Sequence, residues 1–183
     1  MRADARRNRE SLLEAALTAF SEAEVQDVTL ERIARDAGVG IGTLYRHFPT
    51  RDALIEEVYR QELTRLCDAA GELLAELSPP DALRTWMDRF AGYLAAKRGL
   101  AGALQVVIAA GGTPFAHSRE RMVGAVAVLL AAGAGKSLRA DATAEDVLVA
   151  LSGITTASSD PAQTARLLDL LVDGLRAPGA ARA

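Results

Sequence analysis

Apolar residues return every three or four positions along almost the whole chain, and no stretch alternates apolar and polar residues with the β-branched or aromatic enrichment of a strand. That periodicity restricts the chain to an all-α fold. In the first helix Leu13, Ala16, Leu17 and Phe20 form one stripe, with Glu10, Glu14 and Thr18 opposite, and its start is expected between Asp4 and Ser11. Thr29 is a fitting N-cap for a short second helix through Ala37, ended by Gly38, which takes a left-handed cap at least cost. A third short helix from Ile41 must stop near His47, because the residue before Pro49 is pushed out of the α region. Thr50 then caps a long fourth helix whose stripe runs from Leu54 to Leu77 and ends at Ser78-Pro79-Pro80. Further helices are expected at 81–97, 100–110, 115–134, 143–153 and 162–176, about nine in all.

Half of the 183 residues are hydrophobic and a quarter charged, enough apolar material for a packed core and too much for intrinsic disorder. The single cysteine, Cys67, excludes an intrachain disulfide and a multi-cysteine zinc motif. The uncharged stretch 122–135 in the apolar middle falls short of the roughly 20 residues of a spanning helix. Glu10 and Glu14 interrupt the only apolar run near the N-terminus, so no export signal is expected there. The expectation is a cytoplasmic protein with no membrane partner. Its organisation reads as an N-terminal helical unit over residues 1–50, a helical body over 51–176 and a frayed tail over 177–183.

Residues 30–48 carry the chemistry, because several independent positions fit helix-turn-helix spacing. Ile33 and Leu44 are the apolar pair expected where two helices bury against each other, and Ala34 is small where a side chain would collide. Ala37-Gly38-Val39 supplies the tight turn that sets such helices about 90–120° apart. Projected at about 100° per residue, Leu44, Phe48, Ile41 and Tyr45 form one arc of the third helix, and Gly42, Arg46, Thr43 and His47 the other. A short helix with donors on its free face suits a major groove. Bulk charge does not announce that partner: the chain is at −3, and the first sixty residues hold nine Arg and no Lys against eleven acids. Local charge does, through a basic segment at Arg2, Arg6, Arg7 and Arg9 and through Arg46 and Arg51.

Thr29-Leu-Glu-Arg-Ile-Ala-Arg-Asp-Ala-Gly-Val39 followed by Gly42-Thr-Leu-Tyr-Arg-His-Phe-Pro-Thr-Arg-Asp-Ala-Leu54 resembles the TetR family of transcriptional regulators, over residues 6–60. The helix at Leu83, Trp86, Phe90 and Tyr93, followed by Lys97-Arg98-Gly99-Leu100, is similar to one of their regulatory-domain variants. The resemblance implies a DNA-binding head, a fourth helix linking it to a ligand-sensing body, and a homodimer on a double-stranded DNA operator. It implies phosphate contacts at Thr29, Tyr45, His47 and Arg51, and base readout from positions 40–43, including Ile41, Gly42 and Thr43, and from Arg46. Arg6 and Arg7 would add minor-groove or backbone contacts. The sequence departs from the family's pattern at Gly40, Ile41 and Gly42: Gly42 offers no side chain, and Ile41 either touches a thymine methyl or packs beside Leu44 and Phe48.

Trp86, Phe90 and Tyr93 lie on one helix face in a chain with 4% aromatics, and two readings of them stay open. One is ordinary core packing. The other is a wall of an apolar effector pocket completed by Leu104, Ile108, Phe115 and Met122, with Gln105 and His117 as polar handles, for a small apolar or amphipathic effector. The last two helices carry Val147, Leu151 and Ile154, then Leu167, Leu171 and Leu175, more apolar circumference than one core needs, so a dimer interface is expected there. No catalytic residue, cofactor or metal is expected. His47 and His117 are the only histidines, and Gly133-Ala-Gly135-Lys136-Ser137 lacks the first glycine of a phosphate-binding loop. The leading expectation is a ligand-responsive repressor; the alternative is a helical small-molecule-binding protein or enzyme with a vestigial DNA-binding head.

Overall fold

The computed structural model describes residues 2–22 and 27–178, with side chains from Asp4 onward. Nine α-helices make up most of the described chain: α1 (Arg2–Glu22), α2 (Leu30–Asp36), α3 (Ile41–His47), α4 (Arg51–Glu76), α5 (Pro79–Gly99), α6 (Ala101–Ala109), α7 (Ser118–Gly133), α8 (Ala144–Ala157) and α9 (Pro161–Leu175). The all-α fold is as the periodicity requires. Helix α1 starts at Arg2, ahead of the expected interval, so the basic segment is the first turns of a helix and not a free arm. The proline pair both ends α4 and begins α5, since proline at a first helical turn gives up an N–H that would be unpaired anyway.

The chain forms two compact units: residues 1–62 with 95–116, and 63–94 with 117–183. Residues 95–116 thus fold with the N-terminal helices, where an undivided body from residue 51 was expected, and the boundary falls inside α4 and α5. In the first unit Leu12, Leu13, Ala16 and Phe20 of α1, Ile33 and Ala34 of α2, Leu44 and Phe48 around α3, and Leu54, Ile55 and Val58 of α4 are all buried. In the second, Leu83, Trp86, Met87 and Phe90 are buried on α5, with Val126 and Leu129 on α7 and Leu148 and Leu151 on α8. The Trp86 indole N–H donates to the Leu66 carbonyl at 2.8 Å, so a large apolar side chain is buried with its one donor satisfied.

The connection from α7 to α8 is tied to the end of α9. Leu138 is fully buried and bridges to Arg176, and the Ala177 N–H donates to the Ser137 carbonyl at 3.1 Å. The tail is therefore held through Ala177, where fraying was expected, and its last five positions lie outside the described residues. Arg139 grips Asp141 through two parallel bonds of 2.6 Å each, and its guanidinium holds that carboxyl down at about 2. A depressed carboxylate stabilises the fold above its ordinary pKa and ceases to as pH falls through the lowered value. An NMR titration of Asp141 should find its midpoint near 2; a midpoint at the ordinary 3.8 would mean that the pair does not form in solution.

Candidate nucleic-acid interface

The geometry of the α2–α3 pair follows from local chemistry. The Thr29 hydroxyl caps α2 by accepting the Arg32 N–H at 3.2 Å. Gly38 sits at φ +69°, a left-handed conformation that a side chain would strain, and the Val39 N–H then returns to the Ala34 carbonyl at 2.9 Å. That turn delivers α3 with Leu44 fully buried and Phe48 nearly so. Gly40 caps α3 without a side-chain bond, and a Cβ at Gly40 or Gly42 would meet nothing within 4 Å. These two glycines are thus not demanded by packing; they bare the backbone of the face that points outward.

That face consists of Gly42, Tyr45 and Arg46, all exposed, flanked by half-buried Ile41, Thr43 and His47. Tyr45 is 47% exposed, correcting the helical projection that placed it on the buried arc beside Leu44. Arg46 has no acidic partner among the described residues. Arg6 and Arg7 are exposed on α1 but already matched, Arg6 to Glu10 at 3.8 Å and Arg7 to Asp4.

Arg51 is placed differently from its expected role as a phosphate contact alone. Its guanidinium donates to the Val28 carbonyl and stands 5.1 Å from the Phe20 ring centroid, so it joins the start of α4 to α1 and to the entry of α2. Thr50 caps the same helix end by accepting the Ala53 N–H at 3.1 Å.

The expected effector residues divide between the two units. In one, Trp86, Phe90 and Tyr93 are buried, Met122 is half-buried and His117 is exposed. In the other, Leu104 is buried while Gln105, Ile108 and Phe115 are exposed. Phe115 lies between Tyr59, edge-on at 5.2 Å, and the Lys97 ammonium, 4.2 Å from the ring centroid. Burial pushes Lys97 below the ordinary lysine value. Neither Tyr59 nor Lys97 was identified from sequence, because their pairing with Phe115 spans tens of residues. Among the expected dimer residues, Val147, Leu151 and Leu175 are buried within the protomer and cannot face a partner. Ile154, Leu167 and Leu171 are half-buried, and the exposed apolar positions of these helices are Val149 and Leu170, at 55% and 67%.

Comparison with known proteins agrees with this geometry. Residues 12–58 match the model of the bacterial regulatory proteins of the tetR family, and residues 78–177 match that of the SbtR-like transcriptional regulator C-terminal domain. The chain belongs to the TetR family of transcriptional regulators. The TetR regulator SCO0520 of Streptomyces coelicolor is similar in structure, with 51% identity, a TM-score of 0.84, and coverage of 92% of this chain and 98% of that one. A TetR regulatory protein of Mycobacterium vanbaalenii shares 33% identity with a TM-score of 0.78, over 96% of this chain and 99% of the other. An HTH-type transcriptional regulator of Staphylococcus aureus is 41% identical over 63 residues, 34% of this chain. That match spans about a third of the length of the curated relative. As a TetR-family protein the chain is a DNA-binding regulator and not an enzyme, and no helix among the described residues is long and apolar enough to cross a membrane.

The different settings of the two arginines separate in a stability measurement. Arg51→Ala should lower the unfolding free energy by about 1–2 kcal/mol, the scale of one hydrogen bond with one cation–π contact. Arg46→Ala should leave it unchanged. Denaturant unfolding of both variants checks this, and equal stability for the two would remove Arg51 from the packing.

Proposed function

We propose that the chain is a cytoplasmic, ligand-responsive repressor that binds a pseudo-palindromic DNA operator as a homodimer. The observation that carries the reading is the outward face of α3. Gly42, Tyr45 and Arg46 are exposed on a helix whose other side, Leu44 with the following Phe48, is buried, and no acid among the described residues shields Arg46. A guanidinium so placed can bind guanine O6 and N7 together, worth about 1–3 kcal/mol of discrimination. The glycines at 40 and 42 permit close approach of the backbone to a groove. Thr29, Tyr45, His47 and Arg51 are proposed to meet phosphates, Arg51 in addition to its packing; Ile41 and Thr43 are proposed to border the bases.

Dimerisation is proposed through α8 and α9, by Val149 and Leu170 with half-buried Ile154, Leu167 and Leu171. Two apolar side chains more than half exposed on neighbouring helices of a DNA-binding regulator fit a second copy, and a two-fold pair of heads would call for an inverted repeat. Leu170→Glu should give a monomer by light scattering and abolish binding to the full inverted repeat, while a stable dimer would place the interface elsewhere.

The effector is proposed to be a small apolar or amphipathic molecule received along Trp86, Phe90 and Tyr93 of α5, whose burial requires the packing around them to open. Its differential affinity for two conformations of the regulator must equal the loss in operator affinity, typically about 1–3 kcal/mol, and the coupling is reciprocal. Selection of bound sequences from a random duplex pool should enrich an inverted repeat with half-sites about 10 base pairs apart centre to centre or a multiple of that. Arg46→Ala should relax the preference at one guanine position in each half-site. No enrichment at any salt concentration would refute the specific-operator reading.

A further inference from the structure

Arg9 lies on α1, away from the exposed face of α3, and its two contacts converge on the end of that helix. Its Nη2 donates to Glu57 Oε1 at 2.5 Å, across 48 residues of sequence. Its guanidinium carbon stands 5.6 Å from the centroid of the Phe48 ring. Phe48 is the C-cap of α3: its backbone N–H donates to the Leu44 carbonyl at 2.8 Å, its side chain is 3% exposed, and the His47 ring lies 6.1 Å away. Glu57 is only 19% exposed, and its second carboxylate oxygen accepts from Arg60, so the anion that holds Arg9 is itself held. The guanidinium is therefore held by a carboxylate while its charge lies over the ring that terminates the recognition helix.

A seven-residue helix has no independent rigidity, so its axis is set by what holds its ends. The Gly38 turn sets the first end; Phe48 sets the second. We infer that Arg9 is a positioning residue for operator recognition, held by Glu57 against Phe48 so as to fix the orientation of α3 without itself touching DNA. This rests on the specific-operator reading above, and it assigns to Arg9 a role different from the backbone contact that its place in a basic segment suggests.

The experiment compares the full-length protein with Arg9→Ala, Arg9→Lys and Glu57→Gln on the selected operator and on a scrambled duplex over a range of salt. Arg9→Ala and Glu57→Gln should each weaken operator binding about tenfold, the loss carried by one charge-assisted hydrogen bond. Neither should change the slope of log affinity against log salt. Glu57→Gln is decisive by sign: deleting a carboxylate from an acidic head strengthens generic attraction to phosphates, whereas the positioning role requires operator binding to fall. Arg9→Lys should remain close to Arg9→Ala, because an ammonium keeps the charge but loses the planar stack and fork. The double variant should be no weaker than either single one. The inference is overturned if Arg9→Ala lowers the salt slope by about one and weakens every duplex alike, the signature of a phosphate contact. It is equally overturned if Glu57→Gln tightens operator binding, or if Arg9→Lys restores it. Thermal melts identify any variant that fails to fold, and near-isosteric Glu57→Gln then decides alone. A wild-type protein that does not distinguish operator from scrambled DNA fails the specific-operator reading itself, a result that no variant is needed to recognise.

Discussion

A seven-residue recognition helix is too short to persist alone, because nucleating a helix costs more than two turns of hydrogen bonds return. The function of this chain therefore depends on tertiary burial of Leu44 and Phe48. These two side chains convert a marginal helix into a rigid platform, and everything that α3 presents outward follows from their inward commitment. The turn before α3 is the companion constraint. Gly38 at φ +69° lets the chain reverse within three residues, and small Ala34 lets α3 come close to α2. With one end fixed by backbone geometry and the other by a buried aromatic ring, the exposed trio of Gly42, Tyr45 and Arg46 has a defined direction.

The clamps around this platform are made by arginines that lie over aromatic rings as well as donating hydrogen bonds. Arg51 lies over Phe20 and donates to the Val28 carbonyl; Arg9 lies over Phe48 and donates to Glu57. Both cross between elements distant in sequence, and both combine a hydrogen bond with a cation–π contact. This gives a physical use for the head's preference for Arg, with nine Arg and no Lys in its first sixty residues.

What was legible in the sequence was local. Thr29, Gly38, Pro49 and Thr50 act within four residues of themselves, so the bounds of α2, α3 and the start of α4 follow from them closely. The buried pair Ile33 and Leu44 was legible for the same reason, since the turn length fixes its spacing. Long-range partners were not: nothing near Arg9 points to Glu57, and nothing near Phe115 points to Tyr59 or Lys97. Two misreadings came from rules that compete. Pro79-Pro80 ends α4 as expected, yet proline also starts helices, and α5 begins at Pro79 where a start at 81 is expected. Tyr45 was assigned inward because a projection treats all positions of an arc alike, whereas burial needs a neighbour to cover each one. The last helices show the same limit. Leucine content revealed an excess of apolar surface, but only packing distinguishes Leu175, used within the protomer, from Leu170, left outside it.

The acidity of the head also acquires a meaning from the pairing pattern. Arg6, Arg7, Arg9, Arg32, Arg35 and Arg60 all have a carboxylate within 4 Å, from Glu10, Asp4, Glu57, Asp36 and Glu56. Most of these pairs are exposed and contribute little to stability, but each lowers the field that a passing phosphate would feel. Arg46 stands outside that pattern on the face of α3. A head built in this way is expected to attract arbitrary DNA weakly, because non-specific binding is almost wholly the release of counterions by unpaired cations. Discrimination is a difference between two affinities, and suppressing the sequence-independent one raises it without any added base contact. The acids that make the head look ill-suited to DNA thus favour selectivity, provided that α3 is held stiffly enough for a few local contacts to count.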